Sequence, residues 1–439
     1  MILLYSEEIT PRLEYIAQLI FTQILKVEVE FTTNSSDFMK SEKPKLNYST
    51  EKIGDEFYIK PHRLLFLKDL IQIDLKSVWY EGEKYFFESS GDSVLPFDPL
   101  AASFYLVTRY EEYIETERGK YNRFTADKSI LSKYRLLQKP VVNIWARLLA
   151  GKLKEKYPEL IFTEPKFSFI STIDVDNAWA FLNKGFVRSS GALVKAFFKG
   201  HFGEAKQRMN VWMGLEMDPY DTYDYLESVF RGNEDKVHFF FLLGDYARYD
   251  KGISYKNKRF INLIKQIVQK YSVGIHPSFA SSKKKEKEKL HIEMKRLEKI
   301  TGTKIEKSRQ HFLRIQFPQT YRRLIKAGIR SDFTMGYASQ TGFRAGICTP
   351  YYFYDLKKEK TTNLKIFPFQ VMDVALRDYL GLTPEKAWQE TERLMHEVKN
   401  VGGTFISIWH NETVNDLGNW KGYREVFEMM NKKGFELNS

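Results

Sequence analysis

The sequence predicts an α/β protein, a parallel sheet or barrel with helices outside, joined to a smaller α+β region at its N-terminus. Three observations carry this expectation. From residue 166 onward, short apolar segments alternate with helical ones, the pattern of βαβ units. Several of those segments end in an ionisable residue, as strands do when their carboxyl ends build a site. The earlier residues mix short alternating segments with helical ones and show no such polar endings.

In the N-terminal region, 27–32, 56–59 and 84–88 have the alternation of half-buried strands. Asp98 is placed to cap a helix that opens at Pro99 and carries Ala102, Tyr105, Leu106, Arg109 and Tyr110 at helical spacing as far as 114. A second helix is expected over 141–157. Glu111 and Glu112 read as surface residues, and His62 as structural.

Beyond this region seven strands are expected, at 167–173, 237–243, 271–275, 304–308, 328–331, 364–372 and 404–409, one short of an eight-fold barrel. Between the first two, 185–231 has a helical pattern and reads as an insertion, a lid or a substrate wall. The run 283–289 alternates lysine with glutamate and leads into Ile292, Met294, Leu297 and Ile300 at helical spacing. It reads as a solvated helix face, ended by Gly302, rather than a polyanion site.

At 439 residues the chain exceeds one ordinary domain, and the expected division is 1–158 and 159–439. Hydrophobic residues at 43% exclude a disordered chain. A net charge of +12 permits anionic partners, but no zinc-finger, single-strand-binding or phosphate-loop pattern accompanies it. No nucleic-acid partner is therefore expected, while peripheral contact with an anionic surface stays open. The first residues carry no basic leader segment, and no stretch approaches the roughly 18 apolar residues of a spanning helix, so a cytoplasmic location is expected. The single cysteine, Cys348, excludes an intramolecular disulfide and a multi-thiolate zinc site, so a metal here would use His, Asp or Glu.

Asp174 and Asp176 close the first of the seven strands with one residue between them. Both can point the same way, holding a metal together, or one can bind metal while the other takes a proton from water. The strand 271–275 delivers His276, and Pro277 forbids its continuation. His311 lies between Arg309 and Arg314, a setting for anion binding or metal ligation. Asp373 ends 364–372, and His410 ends 404–409, where an imidazole can hand a proton to a leaving amine. Trp409 beside it belongs either to the core or to a sugar-stacking wall. Arg344, central in a glycine-bounded loop, suits bidentate recognition of a carboxylate, phosphate or carbonyl oxygen. Cys348 has no evident base beside it, and no Gly-x-Ser-x-Gly elbow is present.

Taken in order, TIDVD, GIHPSF, SRQHFLR, GIRSDFTMG and IWHNE resemble the motifs of the polysaccharide deacetylases of carbohydrate esterase family 4, in a divergent form whose first motif reads Asp-Val-Asp, over 167–435. The stretch FDPLAASFYLVTRYEEY is similar to the uncharacterised domain that precedes such deacetylases. The resemblance implies a distorted seven-stranded (β/α) barrel. It also implies removal of an acetyl group from an N-acetylated sugar by a divalent metal, commonly zinc, that polarises the amide carbonyl and activates water. By the same resemblance Asp174 is the base, Asp176 and His276 bind metal, His410 is the acid and Arg309 partners the catalytic aspartate.

The sequence departs from the family pattern in three places. Val175 separates aspartates that are usually adjacent, so base and ligand roles could be exchanged. Ala280 stands where the second motif has another histidine, and the proline and tyrosine usual beside Arg309 are missing. His311 is expected to replace the absent histidine, giving a metal set of Asp176, His276 and His311, with Arg344, Trp409 and Asp373 as candidate substrate-binding residues. The expected function is metal-assisted hydrolysis of an N-acetyl group on a sugar or glycan intermediate. Two rival readings use the same barrel: a metal-independent amide hydrolase, and a catalytically inactive carbohydrate-binding protein.

Overall fold

The structure, a computed structural model, describes residues 1–283 and 287–438, so part of the lysine–glutamate run, 284–286, lies outside the described residues. In the N-terminal region, β1 (Ile2–Tyr5), β2 (Val29–Thr32), β3 (Lys45–Asn47) and β4 (Phe57–Tyr58) form a parallel sheet in the order β2-β1-β3-β4. A hairpin of β5 (Ser77–Tyr80) and β6 (Glu83–Phe86) stands beside it.

The helix expected over 99–114 is two helices, Pro99–Val107 and Tyr110–Ile114. Asp98 caps the first, accepting from the backbone of Leu100 and Ala101 at 2.9 and 3.0 Å. The break falls at Arg109, which adopts a left-handed conformation with φ 56°. Its buried guanidinium donates to Glu111 and Glu112 at 2.6 and 2.8 Å. These glutamates are therefore buried ion-pair partners rather than surface residues. His62 is structural as expected, its Nδ1 accepting from Leu64 N.

The remaining strands are β7 (Ser168–Val175), β8 (Val237–Phe241), β9 (Ser272–Ile275), β10 (Lys307–Ser308), β11 (Ser331–Asp332), β12 (Tyr351–Asp355), β13 (Lys360–Ile366), β14 (Val371–Met372) and β15 (Thr404–His410). They form one nine-stranded sheet in the order β12-β13-β11-β10-β9-β8-β7-β15-β14, parallel except for the β12–β13 pair. No closed hydrogen-bonded barrel is formed among the described residues. The expected strand 364–372 is divided instead: β13 pairs with β11, β14 pairs with β15, and the chain between them donates from Phe367 N to Asp332 O and from Gln370 N to Ile406 O. One run of chain thus bonds to both sides of the sheet without completing the ladder.

β8 is buried along its whole length, which explains its unbroken apolar sequence. Phe240, Phe333, Phe369, Met372, Ile406 and Ile408 form a core cluster separate from the main one. The stretch 185–231 holds three helices between β7 and β8: Phe186–Phe198, Phe202–Trp212 and Tyr223–Phe230. In the helix Lys287–Thr301, Leu290, Met294 and Leu297 are buried, whereas Ile292 faces out and does not belong to the apolar stripe.

The loop carrying Arg344 packs against the N-terminal region rather than reaching into the sheet's open end. Phe343 N donates to Leu137 O, and Val142 N to Gly346 O. Gly342 has φ +108°, and a Cβ there would lie 2.4 Å from Leu137 O, so the close approach needs glycine.

Candidate active site

Alternation along β7 puts Thr172 and Asp174 on one face, and Asp176 continues the same parity beyond the strand end. Arg309, which follows β10, reaches that face. Its Nη1 donates to Thr172 Oγ1 at 2.6 Å and to Asp174 Oδ1 at 2.9 Å, and its Nε donates to Phe333 O at 3.1 Å. The guanidinium lies 4.6 Å from the ring centre of Phe240 and is buried. Burial pushes its pKa down from the ordinary value, an effect that Asp174 opposes.

His276 follows β9. Its Nδ1 lies 2.6 Å from Arg309 O, a contact that fits an Nδ1–H donor and leaves Nε2 unprotonated in the neutral ring. Nε2 sits 3.2 Å from Asp176 Oδ1 and 3.8 Å from Asp174 Oδ2. His311 is arranged in the same way: Nδ1 is 3.0 Å from Asp250 Oδ1, and Nε2 is 3.2 Å from Asp176 Oδ2. One ligand atom from each of Asp176, His276 and His311 lies within 4.8 Å of the other two.

This donor set fits a divalent cation. Both Nδ1 atoms are committed to acceptors, so two imidazole lone pairs face a carboxylate whose Oδ1 is buried and accepts no hydrogen bond. Lone pairs facing lone pairs need a proton or a cation between them. With only protons available, burial would lower the His311 pKa, but Asp176 and Asp250 outweigh burial and hold it at about 10. Burial would likewise raise that of Asp176, yet His311 and His276 hold it well below the usual carboxylate range. One carboxylate and two histidines are the ligand types of a catalytic zinc site, with positions left for water and substrate.

The second histidine of the resembled family is replaced by Ala280, and the structure shows what stands in that corner. The Phe279 and Ala280 backbone N–H groups donate to Asp250 Oδ1 and Oδ2 at 2.7 and 3.0 Å, fixing the carboxylate that orients His311. Asp250 is a residue of the site that the sequence reading misses. It lies in the loop after β8, beyond the exposed Asp245, and no local sequence signal sets it apart from that acid.

His410 ends β15 directly opposite Asp174 in the β7–β15 register. Its Nδ1 is 3.0 Å from both oxygens of Asp373, and its backbone N donates to Asp373 Oδ2 at 2.8 Å. Burial would lower the pKa of the imidazole, but Asp373 reverses this and raises it well above the ordinary histidine value.

Asp174, Asp176, His276, His311 and His410 line one cleft of about 190 Å³ together with Tyr121, Arg123, Gln310, Phe312 and Tyr379. Arg309 lies behind Asp174. All three expected substrate-binding residues are placed elsewhere. Asp373 is fully buried behind His410, because its oxygens are taken up by that residue and Thr413. Trp409 is fully buried with its ring 5.2 Å from Phe427, because it points to the opposite face of β15 from His410 and into the core. Arg344 is buried against Glu112, donating at 2.9 and 2.7 Å, and so is unavailable to a ligand. Cys348 is buried and its thiol pushed up by burial, as unsuited to nucleophilic attack as expected.

The fold and cleft define an α/β protein with a candidate metal centre of one carboxylate and two imidazoles at the carboxyl ends of parallel strands. Residues 2–158 match a family described as a family of unknown function, DUF7033. No curated protein sequence matches the chain. Among solved structures, the chain is similar to a candidate polysaccharide deacetylase from Mycobacterium smegmatis, at 16% identity and TM-score 0.40 over 61% of this chain and 85% of that one. It is also similar to the Puue allantoinase, at 11% identity and TM-score 0.39 over 62% and 85%. A CE4 family pseudoenzyme from Bacillus anthracis aligns at 13% identity and TM-score 0.29 over 63% and 67%. No helix among the described residues is long and apolar enough to cross a membrane.

Proposed function

We propose that the chain hydrolyses an N-acetyl group on a sugar, with a divalent cation, zinc foremost, held by Asp176, His276 and His311. The observation that carries this reading is that both imidazoles are fixed through Nδ1 and turn Nε2 toward the same carboxylate. Bound there, the cation would polarise an amide carbonyl and acidify water.

The chain's own residues supply the proton transfers. Asp174 accepts the proton of the attacking water. Its Oδ1 accepts from Arg309, which holds the carboxylate in place. His410 gives a proton from Nε2 to the departing amine, with its Nδ1–H held by Asp373. Because Asp174 and His410 are register partners on adjacent strands, base and acid act from neighbouring positions on the rim. Of the two roles left open by the Asp-Val-Asp spacing, that of ligand is assigned to Asp176 in this reading, supported by the closer approach of both imidazole Nε2 atoms to it.

Elemental analysis of the purified protein beside His276→Ala, followed by acetate release from N-acetyl glycans with and without chelator, tests the proposal. Near-stoichiometric zinc that the variant lacks, and release abolished by chelator and restored by zinc, are expected. Release that ignores chelator would replace this reading with a metal-independent amide hydrolase, and glycan binding without release would replace it with a binding protein.

A further inference from the structure

Two residues of the cleft wall, Tyr121 and Arg123, come from the N-terminal region, within the segment that matches a family of unknown function. They are tied to the loop that carries His311. Arg314 Nε donates to Tyr121 O at 2.7 Å, Arg123 Nη1 donates to Phe312 O at 3.2 Å, and the Tyr121 and Phe312 ring centres are 4.7 Å apart. Both sides of this contact are strained. Tyr121 and Asn122 have φ 61° and 59°, and Phe312 and Leu313 have φ 60° and 52°. Non-glycine residues in this conformation persist where the surroundings impose them, often at functional sites.

The charge at this place is also uncompensated. Arg109, Arg309 and Arg344 each face a carboxylate, whereas neither Arg123 nor Arg314 has an ion-pair partner among the described residues. The Arg123 guanidinium stacks 5.2 Å from the centre of the Tyr121 ring and donates from Nη2 to Tyr379 Oη at 3.3 Å. A guanidinium held on an aromatic face keeps further N–H donors for an oxyanion.

We propose that Tyr121 and Arg123 form a subsite for an anionic substituent, phosphate or carboxylate, on the acetylated sugar, so that the N-terminal region sets which sugars the site accepts. This rests on the reading of the cleft as a sugar deacetylase site. The test is calorimetric binding to the zinc-loaded full chain of three probes: N-acetylglucosamine, N-acetylglucosamine 6-phosphate and N-acetylmuramic acid. At least tenfold tighter binding of one charged sugar than of the neutral one is expected, and which one identifies the anion. Arg123→Gln should erase that preference, and Arg123→Lys should keep part of it. Equal affinity for all three probes in the wild type, no binding of any, or a preference that survives Arg123→Gln overturns the subsite. Because the readout is binding, a chain that releases no acetate yet shows Arg123-dependent preference sinks the deacetylase reading and not the subsite.

An independent observation concerns the helices Phe186–Phe198 and Phe202–Trp212. Phe198 is 89% exposed, Phe197 and Phe202 are 61% and 60% exposed and pack edge-on, and Leu215 and Met217 just beyond are 70% and 75% exposed. Lys195, Lys199 and Lys206 are exposed among them. Protein interfaces are depleted in lysine, and a second copy would bring the same lysines together on a chain of net charge +12. Exposed phenylalanines flanked by lysines instead match a helix lying in the surface of a bilayer.

We infer that this helical pair docks on an anionic lipid bilayer. Sedimentation with phosphatidylcholine vesicles, with and without phosphatidylglycerol, tests it. Binding only to the anionic vesicles is expected, weakened by salt and lost both in Phe198→Ser/Phe202→Ser and in Lys195→Glu/Lys199→Glu. Absence of binding, binding unchanged in these variants, or a dimer that the phenylalanine variant dissolves overturns it.

Discussion

His311 Nδ1 and Asp250 Oδ1 are 3.0 Å apart, and this contact turns the histidine's other nitrogen toward Asp176. Asp250 also accepts from the backbone of Phe279 and Ala280. Asn at this position cannot accept on both sides, since its amide would point an N–H at one of these donors. Asp250→Asn is therefore expected to weaken zinc binding by about 10–100-fold, the usual effect of removing the group that orients a ligating histidine. Competition titration against a chromogenic chelator measures this, and unchanged zinc affinity would remove Asp250 from the site's support.

Asp174→Asn separates base from ligand. The amide oxygen still accepts from Arg309, and Asp176, His276 and His311 are untouched, so folding and zinc content should persist. Turnover should fall by about 10²–10⁴-fold for loss of the general base. Circular dichroism, elemental analysis and acetate release together check the prediction, and full activity would sink the proposed role.

The residues at strand ends are legible in the sequence because alternation and Pro277 mark where strands stop, and this alone brings out Asp174, Asp176, His276 and His410. What the sequence hides is set by contacts far apart in the chain. A glycine-bounded arginine reads alike whether it meets a ligand or Glu112, 232 residues away, and Arg344 meets Glu112. The apolar run 364–372 does not reveal that one part pairs with β11 and the other with β15. Tyr121 and Arg123 lie in a stretch with no apolar periodicity, and only its contact with the His311 loop brings them to the cleft.

Asp373→Asn should change the pH profile in a stated direction. Asp373 raises the His410 pKa, so the imidazolium proposed as the acid persists well above the ordinary histidine range. Removing the negative charge favours the neutral ring, so its pKa falls and the alkaline limb of kcat should move to lower pH. A profile whose alkaline limb does not move would mean that His410 is not the acid.

Glu112 joins two buried guanidinium groups, accepting from Arg109 at 2.8 Å and from Arg344 at 2.9 and 2.7 Å. It thereby fastens the loop at 344 to the N-terminal region. Glu112→Gln leaves both arginines buried with less opposing charge, and a loss of about 3–5 kcal/mol is expected for breaking such a pair from one side. Burial would raise the Glu112 pKa, but Arg344 and Arg109 more than offset this and lower it. The stabilisation is then fully present above the unfolded value of about 4.3 and is lost as pH falls through the lower folded value. Urea denaturation of both proteins at neutral pH should show the variant's midpoint well below that of the wild type, with the gap narrowing only in acid. Coincident midpoints at neutral pH would mean that the carboxylate contributes no more there than a surface ion pair.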